Sequence, residues 1–245
     1  MILRQIVLAV QFMTRLPTPQ VRDFRADDLT RSARWFPLVG LLIGALLLAP
    51  LWALDARPAL AAVLALLLWV WVTGALHLDG LGDVADAFGA AHRSPERFLE
   101  VLKDPHLGAF GMVAIAMQLL LKGVLLFELS GSPWPCGIVL LPAWCRWSTL
   151  LWSRRLPPLQ AAGMAERFAW RLGAGALWSW ALLLGALSLW LAPPLLLAPS
   201  LAMLGVGYWR SRLGGISGDC LGAGIEAMET LLLLALVLGA LLFMG

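Results

Sequence analysis

The chain has 245 residues, 60% of them hydrophobic, a mean hydropathy of +0.83 and only 13% charged, against about 25% charged in a soluble domain. That excludes an ordinary soluble enzyme, because at about 20 apolar residues per span the hydrophobic share fills about seven membrane-spanning helices. The net charge of +3 does not indicate nucleic acid, since the basic residues lack interleaved aromatics; a positive-inside bias accounts for it.

The chain opens with Ile2, Leu3, Ile6, Val7, Ala9, Val10 and Met13, separated by Arg4, Gln5 and Gln11. An apolar stripe of this length predicts an interfacial helix rather than a span. Pro17 and Pro19 end it, a polar loop follows, and a short helix is expected after Asp28. Residues 1–37 lack the tripartite pattern of a cleavable signal peptide.

Long apolar runs then recur at 38–54, 59–76, 108–129, 134–152, 172–192, 195–209 and 230–244, two of them carrying a charge, Lys122 and Arg146. They predict an all-α polytopic membrane protein of about seven transmembrane helices plus the interfacial helix. Fifteen Lys and Arg fall in the N-terminal segment and alternate connections, and only Arg57 falls in the others. By the positive-inside rule the rich side is cytoplasmic, which puts the N-terminus inside and the C-terminus outside at the cell (inner) membrane. No repeat or linker divides residues 1–245, so a single integral membrane domain is expected. Cys136, Cys145 and Cys220 are an odd count without paired ligand spacing, and are expected as buried thiols rather than a disulfide or zinc site.

Three polar clusters lie on the charge-rich side. In the first, Asp79, Asp83 and Asp86 are spaced i, i+4, i+7, which places them within about 60° on one helix face. Three like charges among Leu, Gly, Val and Ala call for a cation. Mg²⁺ shared with substrate phosphates fits that need, against the plain alternative of a solvated acidic face. Gly80 and Gly82 suit either close approach of a phosphorylated ligand or helix packing. His77 lies about 160° from the acids and is expected to contact a neighbouring helix or substrate, not their ion.

In the second cluster, Ser94 reads as an N-cap with Pro95 at the first helical position, and Pro105 as the stop. Lys103 is one of two lysines against sixteen arginines; its retention points to a compact ammonium at a phosphate, with an exposed pair to Glu100 as the alternative. Asp104 follows it. In the third, Gly214, Gly215 and Gly218 make a flexible loop opening a helix that carries Asp219, Glu226 and Glu229 on one side. Glycine-rich backbone at a helix N-terminus cradles phosphate or serves helix packing.

With these motifs in view, the sequence resembles the adenosylcobinamide-GDP ribazoletransferase (cobalamin synthase) family over nearly its whole length. The resemblance is carried by Phe12-Met-Thr-Arg-Leu-Pro-Thr-Pro19, Trp35-Phe-Pro-Leu-Val-Gly40, Gly74-Ala-Leu-His-Leu-Asp-Gly-Leu-Gly-Asp-Val-Ala-Asp86, Lys103-Asp with Gly108-Ala-Phe-Gly111, and Gly214-Gly-Ile-Ser-Gly-Asp-Cys-Leu-Gly-Ala223. Departures stand at Ala87, Pro105 and Cys220, beside the acids.

The resemblance implies a Mg²⁺-dependent transferase that joins α-ribazole, or its 5′-phosphate, to adenosylcobinamide-GDP and releases GMP, the last step of nucleotide-loop assembly. On that reading Asp79, Asp83, Asp86 and Asp219 are metal ligands, Lys103 holds phosphate, and Glu226 or Glu229 is the base for the attacking hydroxyl. Arg15, His77, Gly80, Asp104, Gly214, Gly215 and Gly218 bind substrate. The partners implied are the two substrates and the lipid bilayer, with a second copy of the chain or other corrinoid-pathway enzymes beside it and no nucleic acid. Two other readings fit the same acids: a CDP-alcohol phosphotransferase, whose Ala-Arg after the first acids is replaced here by Ala87-Phe-Gly, and a cation-coupled transporter. A transporter wants its acids near the bilayer midplane, whereas the aspartates here sit at span ends.

Overall fold

The computed structural model describes residues 2–21, 26–91, 95–102, 104, 106–159 and 173–244. Among them the chain forms eleven α-helices and no strand. The amphipathic start becomes α1 (Ile2–Met13), which buries Leu8, Ala9, Val10 and Met13 against α2 (Ala26–Ser32) and α3 (Phe36–Ala53). Twelve residues rise about 18 Å, too short to span a hydrocarbon core of about 30 Å.

A 3₁₀ turn joins α2 to α3, and Pro37 in the first turn of α3 removes a donor that has no helical partner there. α4 (Pro58–Thr73) ends at two consecutive left-handed residues, Gly74 at φ +61° and Ala75 at φ +59°. The second is unusual for a residue with a side chain. Their effect is an 85° bend, after which α5 (Leu76–Ala91) sets off in a new direction. The short α6 (Pro95–Val101) follows, then α7 (Ala109–Ser130) and α8 (Gly137–Arg155). The chain closes with α9 (Ala174–Leu191), α10 (Ala198–Leu213) and α11 (Gly218–Met244).

α8 is the central post, buried along nearly its whole length. α3 lies directly on it: a Cβ on Gly40 would come within 2.5 Å of the Pro142 carbonyl, and one on Gly44 within 2.5 Å of the Ile138 carbonyl. α7 and α9 turn large apolar side chains outward, among them Phe110, Met117, Leu120, Leu182 and Trp190. Apolar faces on that scale belong against lipid.

The all-α membrane architecture is as expected, but the count of seven spans is not reached. Among the described residues four segments are long and apolar enough to cross a membrane, Asp28–Ala53, Ala109–Ser130, Ala174–Leu191 and Gly218–Leu242, and the bent pair of α4 and α5 makes a fifth when taken together. Each predicted run does lie largely in a helix. α10 has only 16 residues, and α8, enclosed by protein, carries Arg146, Ser148, Thr149 and Ser153 in place of a lipid-facing apolar surface. The last helix also starts earlier than the run at 230, because the Ser217 hydroxyl caps it by accepting from Cys220 N at 3.1 Å. Of the cysteines, Cys145 and Cys220 are buried as expected, whereas Cys136 is exposed.

Candidate active site

α5 and α11 meet through glycine. A Cβ on Gly80 would stand 2.8 Å from the Asp219 carbonyl, and one on Gly222 only 3.4 Å from the His77 backbone. The backbones therefore touch, which brings the acids of α5 beside Asp219. Asp79 is exposed and Asp83, Asp86 and Asp219 are half-buried. The charges acting on Asp83 are Asp79, Asp219 and Asp86, all of its own sign. Gly80→Ala is expected to displace the two helices and lower turnover by about 10²-fold, the scale of a 1 Å misplacement, while folded yield in detergent is kept. Wild-type turnover in that variant would show that the close approach does not set the site.

Asp86 has a further task. Its Oδ2 accepts from Gly108 N at 2.7 Å and its Oδ1 from Gly111 N at 2.9 Å, closing the N-terminus of α7 with a carboxylate. Gly108 and Gly111 are glycines because any Cβ there would strike that carboxylate.

Two cavities adjoin at Asp79. The inner one, about 170 Å³, is mostly apolar, walled by Phe12, Phe36, Leu150 and Ile225, with Asp79 and Asp219 at its polar edge. The outer one, about 460 Å³, is polar and is lined by Gln11, Thr14, Arg15 and Asp79. Arg15 reaches it from the end of α1, where its backbone N donates to Val72 O at 2.7 Å and its side chain lies over Gly74 at the bend.

The expected glycine loop is pinned rather than free. Gly214 caps α10 at φ +72°, Ile216 N donates to Pro157 O at 2.9 Å and Leu159 N to Ile216 O at 3.0 Å. Gly215 is required there, since a Cβ would lie 2.5 Å from the Pro157 carbonyl. Gly218 opens α11 and borders the inner cavity.

Glu226 and Glu229 are buried and line neither cavity; they belong to a network that the sequence did not reveal. Lys122 donates to Glu226 at 2.6 Å and to Glu229, and Arg146 binds the other oxygen of Glu229. Gln118 donates to Glu226 at 2.7 Å, and Thr230 donates to Gln118 at 3.1 Å. Lys122 also sits 4.5 Å over the Trp69 ring. Two cations balance two anions, so the network is neutral, as burial among spans demands.

His77 extends this network to α5, its Nδ1 3.3 Å from Arg146 Nη2. A guanidinium only donates, so Nδ1 accepts and the ring proton is on Nε2, which has no partner among the described residues.

Lys103 lies outside the described residues. Glu100, its expected partner, is paired with Arg97 at 2.7 Å. Asp104 is exposed and accepts from His106 N at 3.0 Å and pairs with its ring at 2.7 Å; these bonds hold its carboxyl below the usual range. It lines neither cavity.

Among the described residues no three acidic, histidine or cysteine side chains converge on a common ion position. The donor chemistry still suits Mg²⁺. That ion takes one or two carboxylates and completes its shell with substrate phosphates and water, not with an all-protein cage.

Carboxylates gathered between two glycine-apposed helices of an all-α membrane protein suit a membrane-embedded enzyme acting on a phosphorylated substrate, because they can share a divalent cation with phosphate. The comparisons make this specific: the family model for cobalamin-5-phosphate synthase matches residues 5–237, and the chain belongs to that family. It is 59% identical to an adenosylcobinamide-GDP ribazoletransferase of Laribacter hongkongensis over 96% of this chain and 97% of the relative. Proteins of the same name from Thiobacillus denitrificans and Novosphingobium aromaticivorans are 47% and 48% identical, over 95% and 98% of this chain and 94% and 98% of their own. No solved structure matches.

Proposed function

We propose that this chain is an adenosylcobinamide-GDP ribazoletransferase, joining α-ribazole or its 5′-phosphate to adenosylcobinamide-GDP with release of GMP. The observation that carries the reading, beside family membership, is Asp79 at the junction of an apolar cavity and a polar one that holds Arg15. Such a junction offers an apolar seat for a base beside a polar one for a pyrophosphate. A ribose hydroxyl attacks the phosphorus nearer the corrinoid, the new P–O bond forms as the bond to GMP breaks, and the hydroxyl proton leaves to a base.

One or two of the carboxylates of Asp79, Asp83 and Asp219 would hold Mg²⁺, with the others reaching it through its water shell, and the ion would supply charge neutralisation on the pyrophosphate and the departing GMP. Asp86, its two oxygens engaged by α7, fixes α5 against α7. Arg15 faces the pyrophosphate oxygens, with Lys103 as a second cation. Glu226 and Glu229 are engaged by Lys122, Arg146 and Gln118 and line neither cavity, and reach is the first requirement of a base. Asp79 or Asp219 is better placed to take that proton. The fifteen-to-one distribution of positive charge supports a cytoplasmic N-terminus and a site opening to the cytoplasmic face of the inner membrane.

The test is turnover by purified protein with adenosylcobinamide-GDP, α-ribazole and Mg²⁺. GMP and the corrinoid product are expected in equal amounts, with none when α-ribazole is omitted. GMP release that ignores α-ribazole, or no GMP at all from folded protein, would overturn the reading.

A further inference from the structure

The inner cavity has features that specify which part of a substrate enters it, and on the functional reading above we propose that it seats the benzimidazole base of α-ribazole, with the Ser153 hydroxyl donating to the base's one free ring nitrogen. Size is the first argument. An apolar cavity of about 150 Å³ takes benzene, so about 170 Å³ encloses one ring of a flat bicyclic body whose remainder extends through the open edge, and excludes a corrin ring.

Wall chemistry is the second. Phe12 and Phe36, which line the cavity, are stacked at 5.7 Å with only 10° between their planes, and Leu150 and Ile225 complete an apolar surface. Polar capacity is the third. Thr149 also lines the cavity, but its hydroxyl proton is given to Arg146 O at 2.7 Å. Ser153 is 3% exposed, lines the cavity, and has no hydrogen-bond partner among the described residues.

His77 also lines the cavity, but its unpaired Nε2–H is sealed from accessible space, so the Ser153 hydroxyl is the unpaired donor that the cavity presents, and it matches a base with one acceptor. Guanine, the other base in the reaction, carries several N–H donors and acceptors, and the apolar walls away from the edge at Asp79 and Asp219 would leave those pointing inward unpaired at a cost per group. Benzimidazole with ribose on one nitrogen offers a single acceptor, its second nitrogen. The orientation follows: base inward, ribose at the edge marked by Asp79 and Asp219, and the attacking hydroxyl directed toward the outer cavity and Arg15.

The experiment compares α-ribazole with the α-linked riboside of dimethylindole, in which a ring C–H replaces the accepting nitrogen. Wild-type protein is expected to show a KM for the indole compound about tenfold higher, the scale of one neutral hydrogen bond. Ser153→Ala is expected to raise KM for α-ribazole about tenfold, leave kcat and the KM for adenosylcobinamide-GDP unchanged, and lose the discrimination between the two nucleosides. Ile225→Phe, which fills the cavity, is expected to raise KM for both nucleosides and not for adenosylcobinamide-GDP. Turnover with unchanged discrimination in Ser153→Ala, or unchanged nucleoside KM in Ile225→Phe, would overturn the assignment of this cavity. Absence of GMP in the wild type would instead overturn the functional reading itself.

Discussion

Asp79→Asn and Asp219→Asn are each expected to lower kcat/KM by about 10²-fold or more, the scale of losing one charge-stabilising group at a transferring phosphate, and to raise the Mg²⁺ concentration needed for half-maximal rate. Asparagine keeps the shape and removes the charge, so the folded fraction in detergent should be retained. Asp83, whose charged neighbours are Asp79, Asp219 and Asp86, should behave like the first two. Asp86→Asn should differ, because that carboxylate is bound by Gly108 N and Gly111 N. Its loss weakens charge-assisted bonds at the start of α7, so the variant should melt earlier in detergent while its Mg²⁺ requirement stays near that of the wild type. Rates and metal titrations of the four variants side by side check this. An Asp86→Asn protein with the same metal dependence as Asp79→Asn would return Asp86 to the ligand set, and unaltered rates in Asp79→Asn and Asp219→Asn would leave a merely solvated acidic face.

The second large effect concerns stability. Glu229→Gln strands the buried cations Lys122 and Arg146 with only Glu226 to balance them, and breaking a buried pair from one side costs about 3–5 kcal/mol. Lys122→Met alone should cost a similar amount. The double variant keeps Arg146 and Glu226 and restores neutrality, so it should be more stable than the sum of the singles predicts by well over 0.5 kcal/mol, the usual limit for independent sites. Melting in detergent, followed by a label on Cys136, the exposed cysteine, or by circular dichroism, gives the cycle. Simple additivity would mean that these four charges do not act as one unit.

Much of this was legible in the sequence for definite reasons. Seven apolar runs mark helices because a chain in lipid satisfies its backbone within each helix. The i, i+4, i+7 spacing put three acids on one face because α5 is helical throughout. Other features have no signature of that kind. Lys122 and Arg146 stood out in the sequence only as charges inside apolar runs, although an ion inside a span is costly without a partner. Nothing in the spacing said that Glu226 and Glu229, about a hundred residues away along the chain in the case of Lys122, would provide it. Read locally, those glutamates extended the acidic face of Asp219 and looked like bases. The bend at Gly74 and Ala75 was hidden by Ala75, which carries a side chain yet adopts φ +59°. The polar residues of α8 lowered its hydropathy and masked its central place. Ser153 and Thr149 became notable only once the cavity beside them was visible.

On the proposed function, carboxylates from Asp79, Asp83 and Asp219, on two helices in glycine contact, would hold one divalent ion together with the pyrophosphate. Mn²⁺ in place of Mg²⁺ makes this directly measurable by electron paramagnetic resonance, as bound metal per chain with and without adenosylcobinamide-GDP. Weak binding to the protein alone is expected, because few carboxylates converge without substrate, and one tightly held ion per chain once adenosylcobinamide-GDP is added. Asp219→Asn is also expected to lose that ion at concentrations where the wild type is saturated. Substrate-dependent binding left intact in Asp219→Asn, or equally tight binding with no substrate present, would contradict this reading.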